Sequence, residues 1–400
     1  MATIMYGSHR FPWQDIIQAA SNLHKYASPN TKMSCGCAMI YATMPHEHRD
    51  ILRQWTWRVH DIQTIKVLHV AQTPKTWDLL VQCRSRQASD PRDKVFALLG
   101  LGQAGRGKAG LIGIDYSLSI RQVYSAVTIA QIRLTRTLAA LETEVAHALP
   151  NLPTWVADWT AISKVDIDLS QIRATLPGLY HAGPALEIKT LAYDEKDCTL
   201  TLPGRPFDII AELSEPFPIN ASECETFIPV YEQWKHFISQ LGTPSSVYAA
   251  GDTIEQALHR TLVADSVIDE ATDQTRRATV AEAHAFGEWL KGFAKAMKSG
   301  RVVSNHDLKV SREDQHVKAV LAHRRLMITA SGYMGLAPAG AAVGDSVYVF
   351  NGARMPSVLR LAGRQPQDLV FKLVGPCFIH GMMDGEVEGI GRPLENIILV

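Results

Sequence analysis

The chain has 400 residues, of which 46% are hydrophobic and 20% charged, and its 40 Lys+Arg balance 40 Asp+Glu. That length exceeds one ordinary core and predicts two or three packed units, while the balanced charge excludes the basic footprint of a nucleic-acid binder. No apolar run approaches the roughly 20 residues of a membrane-spanning helix, and Met1 to Gly7 lack the basic-then-apolar order of a secretory signal, so a cytoplasmic protein is expected.

The first 150 residues carry mainly helical patterns. Phe11-Pro12-Trp13 leads into Ile16, Ile17, Ala20 and Leu23, an apolar stripe with proline near the first turn. Trp77, Leu80 and Val81 repeat the spacing. In Ser89-Asp90-Pro91-Arg92-Asp93-Lys94-Val95-Phe96-Ala97-Leu98-Leu99-Gly100, Ser89 or Asp90 is a ready cap, Pro91 suits the first helical position and Gly100 the stop. So short a helix persists only by burying Val95, Phe96, Leu98 and Leu99. A glycine-rich loop from Gly102 to Gly113 follows, then Asp115-Tyr116-Ser117 and a helix with Ile120, Val123, Tyr124, Val127 and Ala130 inward. Pro150 and Pro153 break the chain ahead of Thr154-Trp155-Val156-Ala157-Asp158-Trp159.

Residues 186 to 212 alternate with period two, as at Leu200 and Leu202, and predict strands. Thr253 and Gln256 form a capping box for a helix through Leu258 and Leu262. Phe286, Trp289, Leu290, Phe293 and Met297 make the cleanest amphipathic stripe. The polar stretches from Asp265 to Thr279 and from Lys298 to Gln315 read as mobile surface loops. From His323 onward the pattern is β: residues 346–350 and 355–361 flank Asn351-Gly352, a strong hairpin signal, and 370–374, 378–379 and 397–400 add strands. Pro356 then belongs at an edge or bulge. The expected fold is α+β. It comprises a mainly helical region over residues 1–160, a mixed strand and helix region with polar loops over 161–322, and a small antiparallel β barrel or sandwich over 323–400.

Several strings share an order and spacing with one family. They are Ala88-Ser89-Asp90-Pro91-Arg92-Asp93-Lys94-Val95-Phe96-Ala97-Leu98-Leu99-Gly100-Leu101, Asp115-Tyr116-Ser117, Leu152-Pro153-Thr154-Trp155-Val156-Ala157-Asp158-Trp159, Thr261-Leu262-Val263-Ala264-Asp265, Arg324-Arg325-Leu326, Gly332-Tyr333-Met334-Gly335-Leu336-Ala337-Pro338, and the run from Lys372 to Glu386. Together they resemble the fungal heterokaryon-incompatibility (HET) family. In that family the named HET domain comes first, similar to TIR signalling domains, and Ile4 to Trp13 resembles the segment that follows it. The resemblance therefore implies that the signalling domain is missing here, and that its death-triggering or nucleotide-cleaving activity does not transfer to this chain. The stretch from Leu138 to Leu152 is also shorter than the Gly-containing loop usual in the family. What remains is expected to be a non-enzymatic regulatory or recognition region in self/non-self discrimination. It would have a protein partner of the incompatibility pathway, and no nucleic acid, membrane or cofactor. Two other readings stay open: an enzyme or accessory protein of a secondary-metabolite pathway, and an inactive truncated remnant.

The candidate ligand-binding residues are Arg92, Trp155, Asp158, Trp159, His380 and Asp384, with no catalytic residue assigned. Arg92, between Asp90 and Asp93, is an anion or partner contact, or an ion pair that locks a helix start. Trp155 and Trp159 beside Asp158 form a ligand wall, or anchor the core. His380 and Asp384, four apart near a glycine turn, sit at a barrel mouth, or form a hydrogen-bonded pair that steadies the turn. No metal is expected: His46 and His48 do not share a helical face, and Cys35 and Cys37 form C-x-C. Six cysteines in such a length suit a reducing compartment. There is no G-x-S-x-G, and Cys377 follows Pro376 in an apolar strand. Gly100-x-Gly102-x-x-Gly105 follows a helix, the wrong setting for a dinucleotide turn, and reads as a flexible connector.

Overall fold

Tyr6 pairs with His9 in an antiparallel hairpin of β1 (Thr3–Tyr6) and β2 (His9–Pro12), and Pro12 leads directly into helix α1 (Trp13–Ala27). Asp15 lies in its first turn, where the helix dipole favours an anion. In the computed structural model the chain divides into two units, residues 1–114 and 115–400. The structure describes residues 3–6, 8–27, 44–45, 47–48, 51–52, 55, 59, 76–84 and 86–99 of the first unit. It also describes residues 112–114 of the first unit and, in the second, residues 115–142, 148–161, 172–184, 188, 191–218, 224–243, 246–269, 271–272, 274–298, 312–364 and 369–400. Cys35, Cys37, His46 and the Gly100–Gly105 connector lie outside these residues.

In the first unit the helical stripe of α1 buries Trp13 and Ala20 with Val59, and Ile16 and Ile17 pack against them. Helix α2 (Thr76–Gln82) buries Trp77, Leu79 and Leu80, and α3 (Asp93–Leu99) buries Val95, Phe96 and Leu99. Helices this short are unstable alone, and α2 and α3 persist by packing on each other.

The second unit opens with α4 (Ile120–Thr135), whose capping box joins Ser119 and Gln122, with Val123, Tyr124 and Val127 buried. Further on β3 (Ala192–Asp194) pairs antiparallel with β4 (Thr199–Leu213), where Leu200 and Leu202 are buried between half-buried threonines. The first half of β4 has neighbours on both sides. β13 (Glu395–Leu399) pairs from Leu399 opposite Leu200 to Glu395 opposite Gly204. β9 (Ser346–Phe350) pairs from Phe350 opposite Gly204 to Ser346 opposite Ile209. β9 joins β10 (Ser357–Arg364), β10 joins β11 (Leu369–Pro376), and β11 joins β13, closing a five-stranded barrel. The pairing of β11 with β13 is parallel, which corrects the expectation of an all-antiparallel module. Between these two strands the chain runs through residues 377–394, long enough to re-enter the sheet from the same end.

Register shifts after Pro206 and Ile210 bend β4 out of the barrel. Its second half pairs with β7 (Arg324–Thr329), followed by β8 (Met334–Pro338) and β12 (Phe378–Ile379). Both faces of β7 and β8 are covered. Leu326, Ile328, Met334 and Leu336 pack with helices α5 (Cys224–Ile238), α6 (Ile254–Leu262), α7 (Val280–Lys298) and α8 (Arg312–Leu321). Met327 and Ala337 face the other core, with Phe207, Val347, Val349 and Val358.

Two local expectations change. The polar stretch from Asp265 to Thr279 contains a hairpin, β5 (Ser266–Ile268) with β6 (Thr275–Arg277), because Arg276 ties Asp269 at 2.9 Å and Glu282 at 2.7 Å. Of the other polar stretch, residues 299–311 lie outside the described ones, and α8 begins at Arg312. Asn351-Gly352 is not a two-residue turn: β9 ends at Phe350 and β10 starts at Ser357, with Pro356 just ahead of the ladder. Among the described residues no helix is long and apolar enough to cross a membrane.

Gly335 in β8 has no room for a side chain. A Cβ there would stand 2.3 Å from the Phe378 carbonyl and 2.7 Å from Met327 Cε. Gly335→Ala is predicted to destabilise the second unit by about 1–3 kcal/mol, the usual cost of overpacking, read as a lower urea midpoint at unchanged m-value.

Candidate functional site

Strand β12 ends at Ile379, and the turn after it carries His380, Gly381 (φ 84°) and Asp384. A Cβ on Gly381 would lie 2.5 Å from that of Ala250, so the turn rests directly on the loop ahead of α6. From that loop Asp252 Oδ2 meets His380 Nε2 at 2.6 Å, and the Tyr248 ring stacks on the imidazole at 5.5 Å. The Tyr248 hydroxyl donates to His380 O at 3.2 Å and accepts the Met334 N–H at 2.6 Å. Burial holds the His380 imidazole below its usual pKa and outweighs the pull of Asp252. A neutral ring bonded to a carboxylate carries its proton on the bonded nitrogen, which is Nε2 here.

Asp384 is not the partner of His380. Arg277 at the end of β6 grips it end-on, Nη1 to Oδ1 and Nη2 to Oδ2 both at 2.9 Å. The inner edge of the same guanidinium binds Asp265 Oδ2 through Nε at 3.0 Å and Nη2 at 2.7 Å. Arg260 Nη1 reaches the other oxygen of Asp265 at 2.6 Å, and Arg277 lies 5.2 Å over the Tyr180 ring. Asp265 is 3% exposed, so two arginines enclose a buried carboxylate. Ala264 and Asp265 both adopt left-handed backbone, φ 46° and 51°, a conformation costing an L residue about 1–2 kcal/mol. Asp265 and Arg260 also act on the titration of His380. Asp252, His380, Arg260, Asp265, Arg277 and Asp384 thus form one polar cluster.

The structure therefore brings His380 and Asp384 together through intermediaries. Trp155, Asp158 and Trp159 form a separate, buried group. The Trp155 indole, 1% exposed, donates to Cys198 O at 3.3 Å and meets Tyr193 edge-on at 5.8 Å, and Trp159 is also in the core. Asp158 Oδ2 accepts the Ala148 and Leu149 N–H groups at 2.8 and 2.9 Å, and Oδ1 accepts the Thr160 N–H and hydroxyl at 2.8 and 2.6 Å. Burial pushes the Asp158 carboxyl up, yet the bonds from Thr160, Leu149 and Ala148 together hold it below the usual range. Arg92 lies in the first unit, half-buried and paired with Asp90, Nη2 to Oδ2 at 2.7 Å.

Sequence reading passed over Asp252, Arg260, Arg277, Tyr180 and Tyr248, although Asp265 closes one of the family-like strings. It also passed over Ser266 and His316, whose Oγ and Nε2 lie 3.0 Å apart. That pair is not set up as nucleophile and base. Both are buried, the hydroxyl donates to Val263 O at 2.8 Å, and His316 Nε2 also meets Ser266 O at 3.0 Å. The ring therefore donates to Ser266 and takes no proton from it. Burial likewise pushes the Cys377 thiol up to about 12, far from a thiolate. Among the described residues no group of three His, Cys, Asp or Glu is placed to hold a metal ion.

Comparison with known families resolves the barrel end of the chain. Residues 298–393 match the Het-6 beta-barrel domain. The match fits the C-terminal region of a HET-family protein, as the sequence strings implied. It includes β9, β10 and β11 of the five-stranded barrel, whereas β4 and β13, which complete the ring, lie outside it. No curated protein and no solved structure matches the chain.

Trp155→Ala is predicted to cost about 3–5 kcal/mol, as for a large core aromatic, seen as a lower melting temperature. A second expectation follows from His316, which burial pushes down to about 4 from 6.5. Its folded pKa is depressed, so its contribution is complete above about pH 6.5 and is lost as pH falls towards about 4, roughly 3 kcal/mol in all. His316→Gln keeps a donor towards Ser266 without a titrating ring. Urea unfolding between pH 7 and 4 should show a pH dependence flatter by about that amount.

Proposed function

We propose that the second unit serves as a non-enzymatic recognition or regulatory region of a heterokaryon-incompatibility-related protein, acting in the cytoplasm on a protein partner without a cofactor, nucleic acid or membrane. The Het-6 barrel match carries the family part of this reading. The recognition part is supported by the state of the polar cluster: His380 is spent on Asp252 and Asp384 on Arg277. His380 is also buried, 6% exposed, which withholds its imidazole from a substrate at the surface. Asp384 on the turn after β12 and Asp252 on the loop ahead of α6, with side chains 52% and 36% exposed, give that surface its charged rim.

The test is incubation of the purified chain with NAD, alongside expression in a fungal host, since nucleotide cleavage and killing are the activities attached to the family's signalling domain. Neither NAD consumption nor cell death is expected. Time-dependent NAD loss abolished by His380→Ala would overturn the proposal and make His380 catalytic. Loss that survives this substitution would equally defeat the claim of inactivity and place the chemistry elsewhere.

A further inference from the structure

Glu142 lies in the segment after α4, beyond the left-handed Arg136, and is 5% exposed. Its Oε1 accepts two backbone N–H groups, those of Arg354 and of Met355, the latter at 3.2 Å. Both belong to the loop that joins β9 to β10 in the barrel wall. The same loop is held from a second side, where the Ala182 N–H donates to Arg354 O at 3.1 Å and the Gly183 N–H to Ala353 O at 2.9 Å. Gly183 is pressed so close that a Cβ would stand 2.4 Å from Phe350 O. Glu142 is the titratable side chain in this set of contacts.

Its second oxygen, Oε2, is buried and has no hydrogen-bond partner among the described residues. Among the described residues, the charged group acting on the carboxyl is Arg354, whose side chain is half-buried. A carboxylate with one oxygen bare in a dry site is poorly solvated, and burying that charge costs more than burying the single unpaired O–H of the neutral acid. The loop's attachment must then depend on the proton. We infer that Glu142 is a protonation-gated latch on the β9–β10 loop, holding it while the carboxyl carries its proton and loosening it once the carboxyl ionises.

Burial pushes the Glu142 carboxyl from 4.5 up to about 7, against the lowering effect of the two N–H groups and Arg354. When the loop opens, water reaches the carboxyl and its pKa returns towards 4.5. The latched state therefore binds the proton more tightly. Its advantage is complete below about pH 4.5, is lost progressively as pH rises to about 7, and changes no further above that. The sense is opposite to that of His316, so a general loss of stability in acid cannot imitate it.

Amide hydrogen exchange on the intact chain from pH 5 to 8, corrected for intrinsic exchange, reads the latch directly. Protection at Arg354 and Met355 should fall about 40-fold in all between pH 5 and 7 and change little above, and Glu142→Gln should abolish the slope. Flat protection in the unaltered chain, or a slope that survives Glu142→Gln, overturns the proposal. If the variant does not fold, the side-chain carboxyl carbon of Glu142 in the unaltered chain can be titrated by NMR. A midpoint near pH 7 supports the latch, and one in the ordinary carboxylate range overturns it.

Discussion

A closed barrel requires every strand to find a partner on each side, and here that requirement falls on β4. Its first half supplies the seam between β9 and β13. Without it both would be open edges. The two prolines in this half, Pro203 and Pro206, cannot donate to a ladder. Pro203 instead accepts the Asn351 N–H at 3.0 Å, and Pro206 stands at the register shift where the strand turns away. Past that bend the strand starts a second sheet with β7. One strand thus couples the barrel core to the helix-covered core, and Met327 and Leu326 on β7 point into the two in turn. The family-matched segment, residues 298–393, cannot complete this ring from its own strands.

The polar cluster is a second constraint laid over the first. Taking Asp265 out of water is unfavourable unless its charge is matched, and Arg260 and Arg277 match it from opposite sides. Removing either would leave a buried charge half-compensated, so the left-handed backbone at Ala264 and Asp265 is held by ion pairing and packing together. The β5–β6 hairpin depends on the same chemistry. Its strands have three residues each, too few for stability alone, but successive arginines at its end, Arg276 and Arg277, bind carboxylates on α7, the hairpin turn and the turn after β12.

What the sequence revealed was local. The Thr253–Gln256 capping box is present, the period-two pattern through Leu200 and Leu202 marks β4, residues 370–374 and 378–379 fall in β11 and β12, and of the expected 397–400 all but Val400 fall in β13. Each signal is read within a few residues. Misses arose where distant partners decide. The parallel pairing of β11 with β13 depends on the path between them. Asn351-Gly352 scores as a tight turn, yet the loop is held open by Glu142 and Gly183 from far upstream. The site shows the same limit. His380 and Asp384 were legible as chemistry, but their partners, Asp252 and Arg277, stand more than 100 positions away in the chain. The polar run from Asp265 to Thr279 looked like loop because hydrophobic periodicity cannot register a hairpin held by ion pairs.

Two buried carboxyls in the second unit have pKa values shifted in opposite directions. Asp158 is fully buried and Glu142 nearly so, so desolvation opposes ionisation in both. At Asp158 four donors are spread over both oxygens, and the carboxylate is held below its usual pKa. At Glu142 two donors converge on one oxygen while the other has none, and burial wins. Depth alone therefore does not set the charge of a core acid in this protein. The number and placement of donors act with it, because each bare oxygen keeps the desolvation penalty that a hydrogen bond would otherwise offset. Asp158 consequently acts as a fixed anchor across the pH range in which Glu142 changes state, although both join segments of the same unit.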